Sequence, residues 1–322
     1  MSSRVAVLGA GAIGGWVAAR LALAGNEVMA LTSRGAVDRI ELEEHGRVET
    51  AELSRFDSPA DLLVVAVKAT ALAAAAPQAA KLIGPATTIV PMLNGVPWWF
   101  VEGEPLRSVD PAGAIGSALP FGQIVGCVVH ASCSRAADGR VVVRHADKLI
   151  IGEPDGLTGE RLARLFALLD DAGLRPDMTG NVRRAIWYKL WGNATINPLS
   201  AVTRATADKI LADPECRGWM LEGMAELAAI GAAIGCPISE SGEDRMQVTA
   251  RLGTFKTSML QDVEAGRPIE LEALVGAPRE IARRQGIATP ALDRLYDVTK
   301  LMAESLGLLP SLPREGYGVG SG

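Results

Sequence analysis

The chain has 322 residues, a formal net charge of −5 at neutral pH, and 48% apolar and 21% charged residues. This length allows two domains, or one domain with a large helical extension, and the composition is ordinary for a globular enzyme. The acidic balance argues against nucleic acid or an anionic membrane as partner, because both require a clustered basic surface. The three histidines have no metal-ligand spacing to a cysteine or carboxylate, so we expect no metal site.

The apolar stretch near the N-terminus does not have the pattern of an export signal. Glycines and Arg20 interrupt it, and no run of 18 or more apolar residues occurs elsewhere. The four cysteines form no C-x-x-C pair, which is typical of reduced thiols. We therefore expect a soluble cytoplasmic protein.

Short apolar runs alternate with helical segments over the first 91 residues. The runs are continuous and rich in β-branched residues, which indicates parallel strands covered on both faces. This alternation predicts an α/β fold with a doubly wound sheet of the Rossmann type. The predicted strands are 4–8, 26–32, 62–67 and 87–91, and the predicted helices are 13–24 and 71–82.

Residues 112–151 have a different pattern, in which Asp138-Gly139 is a hairpin signal between two apolar runs. We expect antiparallel strands here, at an edge of the same sheet, and then a helix over 159–172. From residue 181 helical periodicity dominates. The chain is therefore predicted to have a dinucleotide-binding domain over 1–178, an all-helical domain over 179–308 and a poorly ordered tail over 309–322. The helices predicted in the second domain are 181–195, 214–235, 242–264 and 271–285.

The turn after the first strand has the spacing G-x-G-x-x-G, at Gly9, Gly11 and Gly14. The first glycine allows a tight turn, the second a close approach to a pyrophosphate, and the third close packing of helix on strand. Ala12 and Ile13 begin the helix, whose free N–H groups attract phosphate. With a strand before it and a helix after it, the turn predicts a bound dinucleotide.

The end of the second strand predicts NADPH rather than NADH. Sites for NAD place an acidic residue there, for the ribose 2′-hydroxyl. This chain has Thr32-Ser33-Arg34 instead, and no carboxylate before Asp38. A hydroxyl and a guanidinium suit a 2′-phosphate through charge-assisted hydrogen bonds. The alternative is an arginine that only faces solvent.

Lys189, Asn193 and Asn197 recur at intervals of four and share one helix face. We expect Pro198 to end or kink that helix. Bulky apolar neighbours indicate that the helix is buried, and burial lowers the pKa of a lysine, which makes Lys189 a candidate proton donor. The alternative is a lysine that extends to solvent beside two helix-end amides.

Taken together, these motifs resemble those of the ketopantoate reductase family, from Val5 to about Leu308. The K-x-x-x-N-x-x-x-N-P-L string and the S-M-x-x-D element followed by a glutamate are its specific parts. The matching segments are Gly9–Gly14, Val65–Lys68, Asn94-Gly95, Lys189–Leu199, Ser258–Asp262 and Glu270.

The resemblance implies a cleft between the two domains and NADPH-dependent reduction of a 2-keto acid to a D-2-hydroxy acid. Lys189 would be the general acid, and Glu270 a second catalytic group that meets either the cofactor ribose or the substrate. Glu272 could take the place of Glu270. The implied substrate ligands are Asn94, Asn193, Asn197 and Ser258, and the implied cofactor ligands are Gly9, Gly11, Ala12, Ile13, Gly14, Ser33, Arg34, Lys68, Asn94 and Ala131.

The chain departs from the family pattern near the substrate. Leu93 replaces the common glutamine, and Ala205–Ala207 stands where well-known members have a further asparagine. Trp98, Trp99 and Phe100 follow the Asn-Gly pair, and such residues are more often core than pocket. If they line the pocket, they favour a more apolar substrate.

The sequence is compatible with three candidate functions. The first is reduction of ketopantoate to D-pantoate in pantothenate and coenzyme A biosynthesis. The second is a D-2-hydroxyacid dehydrogenase for other branched or aromatic 2-keto acids, and the third is a dinucleotide-binding sensor without turnover. The helical domain also makes a homodimer plausible.

Overall fold

The computed structural model describes residues 2–251 and 253–309. Over these residues the chain forms ten strands, eleven α-helices and one π-helical segment. The strands are β1 (Arg4–Leu8), β2 (Glu27–Thr32), β3 (Gly35–Val37), β4 (Arg39–Glu44), β5 (Arg47–Glu52), β6 (Leu62–Val65), β7 (Thr88–Pro91), β8 (Gly126–Arg135), β9 (Val141–Gly152) and β10 (Pro176–Met178). The helices are α1 (Ala12–Leu23), α2 (Ala69–Ala79), α3 (Ala114–Ala118), α4 (Glu160–Asp171), α5 (Val182–Thr203), α6 (Ala207–Ala212), α7 (Pro214–Ala233), α8 (Gly242–Ala250), α9 (Ser258–Glu264), α10 (Ala277–Arg284) and α11 (Pro290–Ser305). The π-helical segment is Glu272–Gly276.

The first sheet confirms the predicted dinucleotide-binding architecture. Its order is β3-β2-β1-β6-β7, in which β2, β1, β6 and β7 run parallel and β3 is antiparallel to β2. The inner strand β1 is almost completely buried from Val5 to Leu8. The order reverses between β1 and β6, the position at which open α/β sheets bind their ligands.

A second sheet replaces the predicted edge of the first one, so that expectation was wrong. Its order is β10-β9-β4-β5, and β8 pairs antiparallel with β9. The Asp138-Gly139 hairpin is confirmed, because Ala136 N donates to Arg140 O at 2.9 Å. The chain approaches the first sheet just before β8, where Val125 N donates to Ile89 O at 2.9 Å, and β8 itself also contacts β7.

Helix α1 is enclosed between the two sheets. Its buried residues Trp16, Val17 and Leu21 belong to one apolar cluster with β1, β4, β9 and α4. The residue Gly15 allows this approach, since a Cβ there would meet Val141 at 2.8 Å. The second sheet therefore holds the helix whose N-terminus follows the Gly-rich turn.

The helical half is organised around α5, which contacts α7, α9, α11 and β8. The expected helix end at Pro198 was wrong, because α5 continues to Thr203. A proline inside a helix loses one hydrogen bond and costs about 3 kcal/mol. Fourteen of the 22 residues of α5 are buried, and this packing offsets the loss.

Two further helical boundaries differ from the prediction. The segment 242–264 is two helices, because Gly253 has a left-handed φ of +67° and Thr257 begins α9 as its N-cap. The predicted helix over 271–285 contains the π-helical segment, and α11 was not predicted.

The last strand ends at Met178 and α5 begins at Val182. The division at residues 178 and 179 stays a prediction. Of the predicted tail only Leu309 is described, and 310–322 lie outside the described residues. No helix within residues 2–251 and 253–309 is long and apolar enough to cross a bilayer.

Candidate active site

The Gly-rich turn leaves space for a ligand on one side and none on the other. Gly9 has a φ of +103°, and a Cβ there would lie 2.7 Å from Val67. At Gly14 a Cβ would lie 2.0 Å from the Gly9 carbonyl oxygen. A Cβ at Gly11 would meet no atom of the described residues within 4 Å beyond its chain neighbours, and α1 begins at the next residue. This open cradle at a helix N-terminus fits a dinucleotide pyrophosphate.

A side chain that the sequence did not reveal holds this turn. The guanidinium of Arg135, at the end of β8, donates to the carbonyl oxygen of Ala10 at 2.5 Å and to that of Gly139 at 2.7 Å. Because both acceptors are backbone atoms, no pairing of residue types signals the contact. The second sheet thus braces the turn of the first.

The turn between β2 and β3 presents Ser33 and Arg34 to solvent. Thr32 closes it, since its hydroxyl accepts from Arg34 N at 3.1 Å and donates to Gly35 O at 3.0 Å. The next carboxylate in sequence, Asp38, accepts a hydrogen bond from Arg55 at 2.7 Å. The arrangement offers an exposed hydroxyl and an exposed guanidinium, which suit a phosphate better than a ribose hydroxyl.

Two more predicted residues follow the carboxyl ends of parallel strands. Lys68 lies just after β6 and caps α2, and Asn94 lies just after β7. The turn at Asn94 is anchored by the π-helical segment. Val96 N donates to Ala273 O at 2.8 Å, and a Cβ on Gly95 would lie 2.4 Å from that oxygen. Lys68, Asn94 and the Gly-rich turn therefore share one edge of the sheet.

Lys189 on α5 reaches this edge. Its Nζ donates to Asn94 Oδ1 at 2.9 Å and to the carbonyl oxygen of Val129 at 2.8 Å. An ammonium group has three donors, so two are used and one remains. The contact joins the helical half to the first sheet, and it rules out the alternative of a lysine extended into solvent.

Burial of the Lys189 ammonium lowers its pKa to about 8, and the nearby Glu270 carboxylate opposes this shift. At neutral pH the group is still mostly protonated. A proton donor with a pKa close to the working pH is suited to general acid catalysis.

Glu270 belongs to a cluster of alternating charges beside Lys189. It is 9% exposed, and its Oε1 accepts from Ala69 N at 2.9 Å. Burial raises the pKa of Glu270, despite that hydrogen bond and the neighbouring cations. Lys68 Nζ contacts Asp262, whose other oxygen accepts from Arg267 at 3.0 Å. The sequence motif contained Asp262 but gave it no role.

Glu272 does not join this cluster. Its carboxylate accepts from the hydroxyl of Tyr296 on α11 at 2.5 Å. It is Glu270, and not Glu272, that lies beside Lys68 and within electrostatic reach of Lys189.

The remaining predicted substrate ligands extend along α5. Asn193 and Lys189 line a small cavity of about 10 Å³ at the contact between α5 and β8, room for one water molecule. Asn197 is 5% exposed, and its Nδ2 donates to Ser258 Oγ at 3.5 Å. Ser258 is the first residue of α9 and is exposed. The structure therefore connects three of the four ligands to Lys189 or to each other, and Asn193 shares its cavity.

Ala131 lies at a β-bulge in β8, where the register shifts between His130 and Ala131. Bulges often re-aim backbone groups next to active sites. The bulge follows Val129, whose carbonyl holds Lys189. Burial and the Lys189 charge lower the pKa of His130.

The aromatic residues after Asn94 are part of the core and do not line the site. Trp98, Trp99 and Phe100 are 6%, 2% and 2% exposed. Phe100 stacks on Trp187 of α5, with ring centroids 5.8 Å apart. They therefore give no support to an enlarged apolar substrate pocket. Among the described parts of the chain, no three His, Cys, Asp or Glu residues could hold a metal ion together.

A Gly-rich turn at the switch point of a parallel sheet, facing a buried lysine on a second domain, defines a dinucleotide-dependent oxidoreductase. Two family models match the chain. The ketopantoate reductase PanE/ApbA model matches residues 5–156, and the ketopantoate reductase PanE/ApbA C-terminal model matches residues 181–303.

Known proteins match over almost the whole length. A 2-dehydropantoate 2-reductase of Mesorhizobium japonicum is 36% identical over 324 residues, which cover 94% of this chain and 99% of the relative. A crystal structure from Ralstonia solanacearum, assigned as a ketopantoate reductase, is 44% identical with a TM-score of 0.90 and covers 96% of this chain and 100% of that one. The crystal structure of 2-dehydropantoate 2-reductase from Methylococcus capsulatus is 26% identical with a TM-score of 0.80, covering 94% and 97%.

The chain belongs to the ketopantoate reductase family, which confirms the resemblance seen in the motifs. It is an oxidoreductase of that family, whose members use NADPH.

Proposed function

We propose that this chain reduces ketopantoate to D-pantoate with NADPH. The observation that carries the proposal is the position of Lys189. Its ammonium is held 2.9 Å from Asn94, at the edge of the sheet where the Gly-rich turn opens. A cation with one unused donor at that edge is suited to a carbonyl oxygen that gains negative charge.

In this proposal Lys189 donates its third hydrogen bond to the C2 carbonyl oxygen of the substrate. It then transfers the proton from Nζ as negative charge develops on that oxygen. NADPH, when bound, supplies the hydride. Asn94 and the Val129 carbonyl hold the ammonium in place, and Glu270 supports its charge from the side of α2.

The other polar groups have binding roles. Asn193, Asn197 and Ser258 would bind the substrate's carboxylate and hydroxyl groups along α5. The cradle formed by Gly9, Gly11 and Gly14 would hold the pyrophosphate, with the N–H groups of Ala12 and Ile13. The remaining cofactor ligands would be Ser33 and Arg34 on the 2′-phosphate, Lys68, and the backbone of Ala131.

Ketopantoate is favoured over other 2-keto acids by two observations. Relatives that match this chain over nearly its full length are named 2-dehydropantoate 2-reductase. Trp98, Trp99 and Phe100 are buried, so they do not favour a larger apolar substrate. A branched or aromatic 2-keto acid remains the second candidate because of Leu93 and Ala205–Ala207.

We further propose a cytoplasmic location and a homodimer. All four cysteines are unpaired, which fits a reducing compartment. Sedimentation of the purified chain tests the dimer.

A steady-state screen tests the function. Ketopantoate, branched and aromatic 2-keto acids are each assayed with NADPH and with NADH. Highest kcat/KM for ketopantoate with NADPH supports the proposal, and a preference for another 2-keto acid supports the second candidate. Binding of NADPH without reduction of any keto acid leaves only the sensor.

A further inference from the structure

Arg245 on α8 lies against helix α5. Its guanidinium is 5.7 Å from the ring centroid of Tyr188, and Nη1 donates to Thr249 Oγ1 at 3.1 Å. Nε is buried and has no hydrogen-bond partner among the described residues. Across residues 2–251 and 253–309, no carboxylate lies within 4.0 Å of this guanidinium.

The sequence of α5 makes room for this group. A Cβ at Gly192 would lie 2.9 Å from Nη2 of Arg245 and 3.2 Å from its Nε. Any larger residue at position 192 would displace the guanidinium. Gly192 and Lys189 are three positions apart, so they are neighbours on the helix surface, about 5–6 Å apart. The guanidinium therefore packs on the turn of α5 that also carries the proposed proton donor.

Lys189 and Arg245 are both within electrostatic range of His130. Burial is the main cause that lowers the pKa of His130, followed by Lys189, and Lys148 and Arg245 act in the same direction while Asp147 opposes them. His130 precedes the bulge at Ala131, next to the Val129 carbonyl that holds Lys189.

The substrate class favours a second cation beside the polar groups of α5. A 2-keto acid has a carbonyl oxygen and a carboxylate on adjacent carbons, and Lys189 serves the carbonyl. Lys68 is already in contact with Asp262. The nearby carboxylate of Glu240 is engaged by the Tyr188 hydroxyl at 2.5 Å, which leaves the Arg245 guanidinium available.

We propose that Arg245 binds the substrate carboxylate and so selects 2-keto acids over uncharged 2-keto compounds. A guanidinium offers planar pairs of donors that match a carboxylate, and Nε of Arg245 has no partner among the described residues. The Tyr188 ring and the backbone at Gly192 hold the guanidinium in position. This role rests on the proposed reduction of a 2-keto acid and assigns recognition of the substrate's negative charge to Arg245.

The test compares ketopantoate with its uncharged amide. In Arg245→Gln, KM for ketopantoate should rise about 10- to 100-fold, the range for a lost hydrogen bond to a charged group. Its kcat should change less than KM, and kinetics with the amide should stay as in the wild type. A merely structural role would affect both substrates equally. Arg251→Gln is the matched control, an exposed arginine six residues further on.

Arg245→Lys keeps the charge without the planar pair and should give an intermediate KM, so the proposal stays testable if Arg245→Gln does not fold. An unchanged ratio of KM for acid and amide in a folded Arg245 variant would overturn the inference. Failure of the wild type to reduce any 2-keto acid would instead overturn the proposed function.

Discussion

Lys189 and Asn94 are 95 positions apart in sequence, and Lys189 Nζ donates to Asn94 Oδ1 at 2.9 Å. Asn94 follows strand β7 of the cofactor sheet, and Lys189 lies on the longest helix of the other half. This hydrogen bond therefore joins the two halves at the point where substrate and cofactor would meet. It also fixes the direction in which the third donor of the ammonium can act.

Replacing Lys189 tests its role as proton donor. Lys189→Met keeps most of the side-chain volume and removes the charge, so kcat for ketopantoate reduction should fall about 10²–10⁴-fold. NADPH affinity, measured by fluorescence titration, should change little. Lys81→Met, at an exposed lysine, is the control. Turnover within tenfold of the wild type would remove Lys189 from the mechanism.

The pKa of about 8 for Lys189 predicts opposite pH dependences for the two directions. Reduction needs the protonated amine, so its kcat/KM should decline above about pH 8. Oxidation of D-pantoate needs the neutral amine and should rise over the same range. The pKa of His130 is lowered from 6.5, so His130 cannot produce a decline in the reduction rate above pH 8. Profiles from pH 6 to 10 measure it, and a flat reduction rate to pH 10 would contradict the assignment.

Glu270→Gln should shift the decline in kcat/KM for reduction to lower pH. The Glu270 charge raises the pKa of Lys189, so its removal lowers the pH at which Lys189 loses its proton. The amide oxygen can still accept from Ala69 N, and the fold should be retained. A decline at the same pH as in the wild type, or at a higher pH, would mean that Glu270 does not act on Lys189.

Arg34→Gln tests the choice of cofactor. The dissociation constant for NADPH should rise about 10- to 100-fold, because a charge-assisted bond to the 2′-phosphate is lost. The value for NADH should stay the same. Arg39→Gln, at an exposed arginine on β4, is the control. An equal loss of affinity for both nucleotides would mean that Arg34 does not bind the 2′-phosphate.

Two glycines of the turn should respond differently to alanine. A Cβ at Gly14 meets the Gly9 carbonyl at 2.0 Å, so Gly14→Ala should lower both Tm and NADPH affinity. Gly11 faces open space, so Gly11→Ala should leave the Tm of the free protein unchanged and weaken only NADPH. Thermal melting with and without NADPH separates these effects. Equal affinity for NADPH in Gly11→Ala would show that the pyrophosphate does not approach there.

The first sheet and the Gly-rich turn were predictable because their signals are local. Each inner strand is a continuous apolar run, and the glycines stand at a spacing set by the backbone. The second sheet was not predictable in the same way. Its strand β4 pairs with β9 about 100 positions later, from Leu42 to Val141, and its alternation of charged and apolar residues marks no partner.

The candidate site shows the same contrast between local signals and long-range contacts. The shared face of Lys189, Asn193 and Asn197 follows from helical periodicity, and the family motif adds Ser258 and Glu270. The contacts that give these residues their chemistry depend on the tertiary fold. Val129 and Ala10 contribute only backbone oxygens, and Arg245 acquires its position from a glycine on another helix.

Isotope transfer tests the central claim most directly. Purified protein is incubated with ketopantoate and NADPH carrying deuterium at both C4 positions, and the product is examined by NMR and chiral chromatography. We predict D-pantoate with one deuterium at C2 from the wild type, and a rate about 10²–10⁴-fold lower from Lys189→Met. Pantoate without deuterium at C2, or no reduced product at all, would contradict the account.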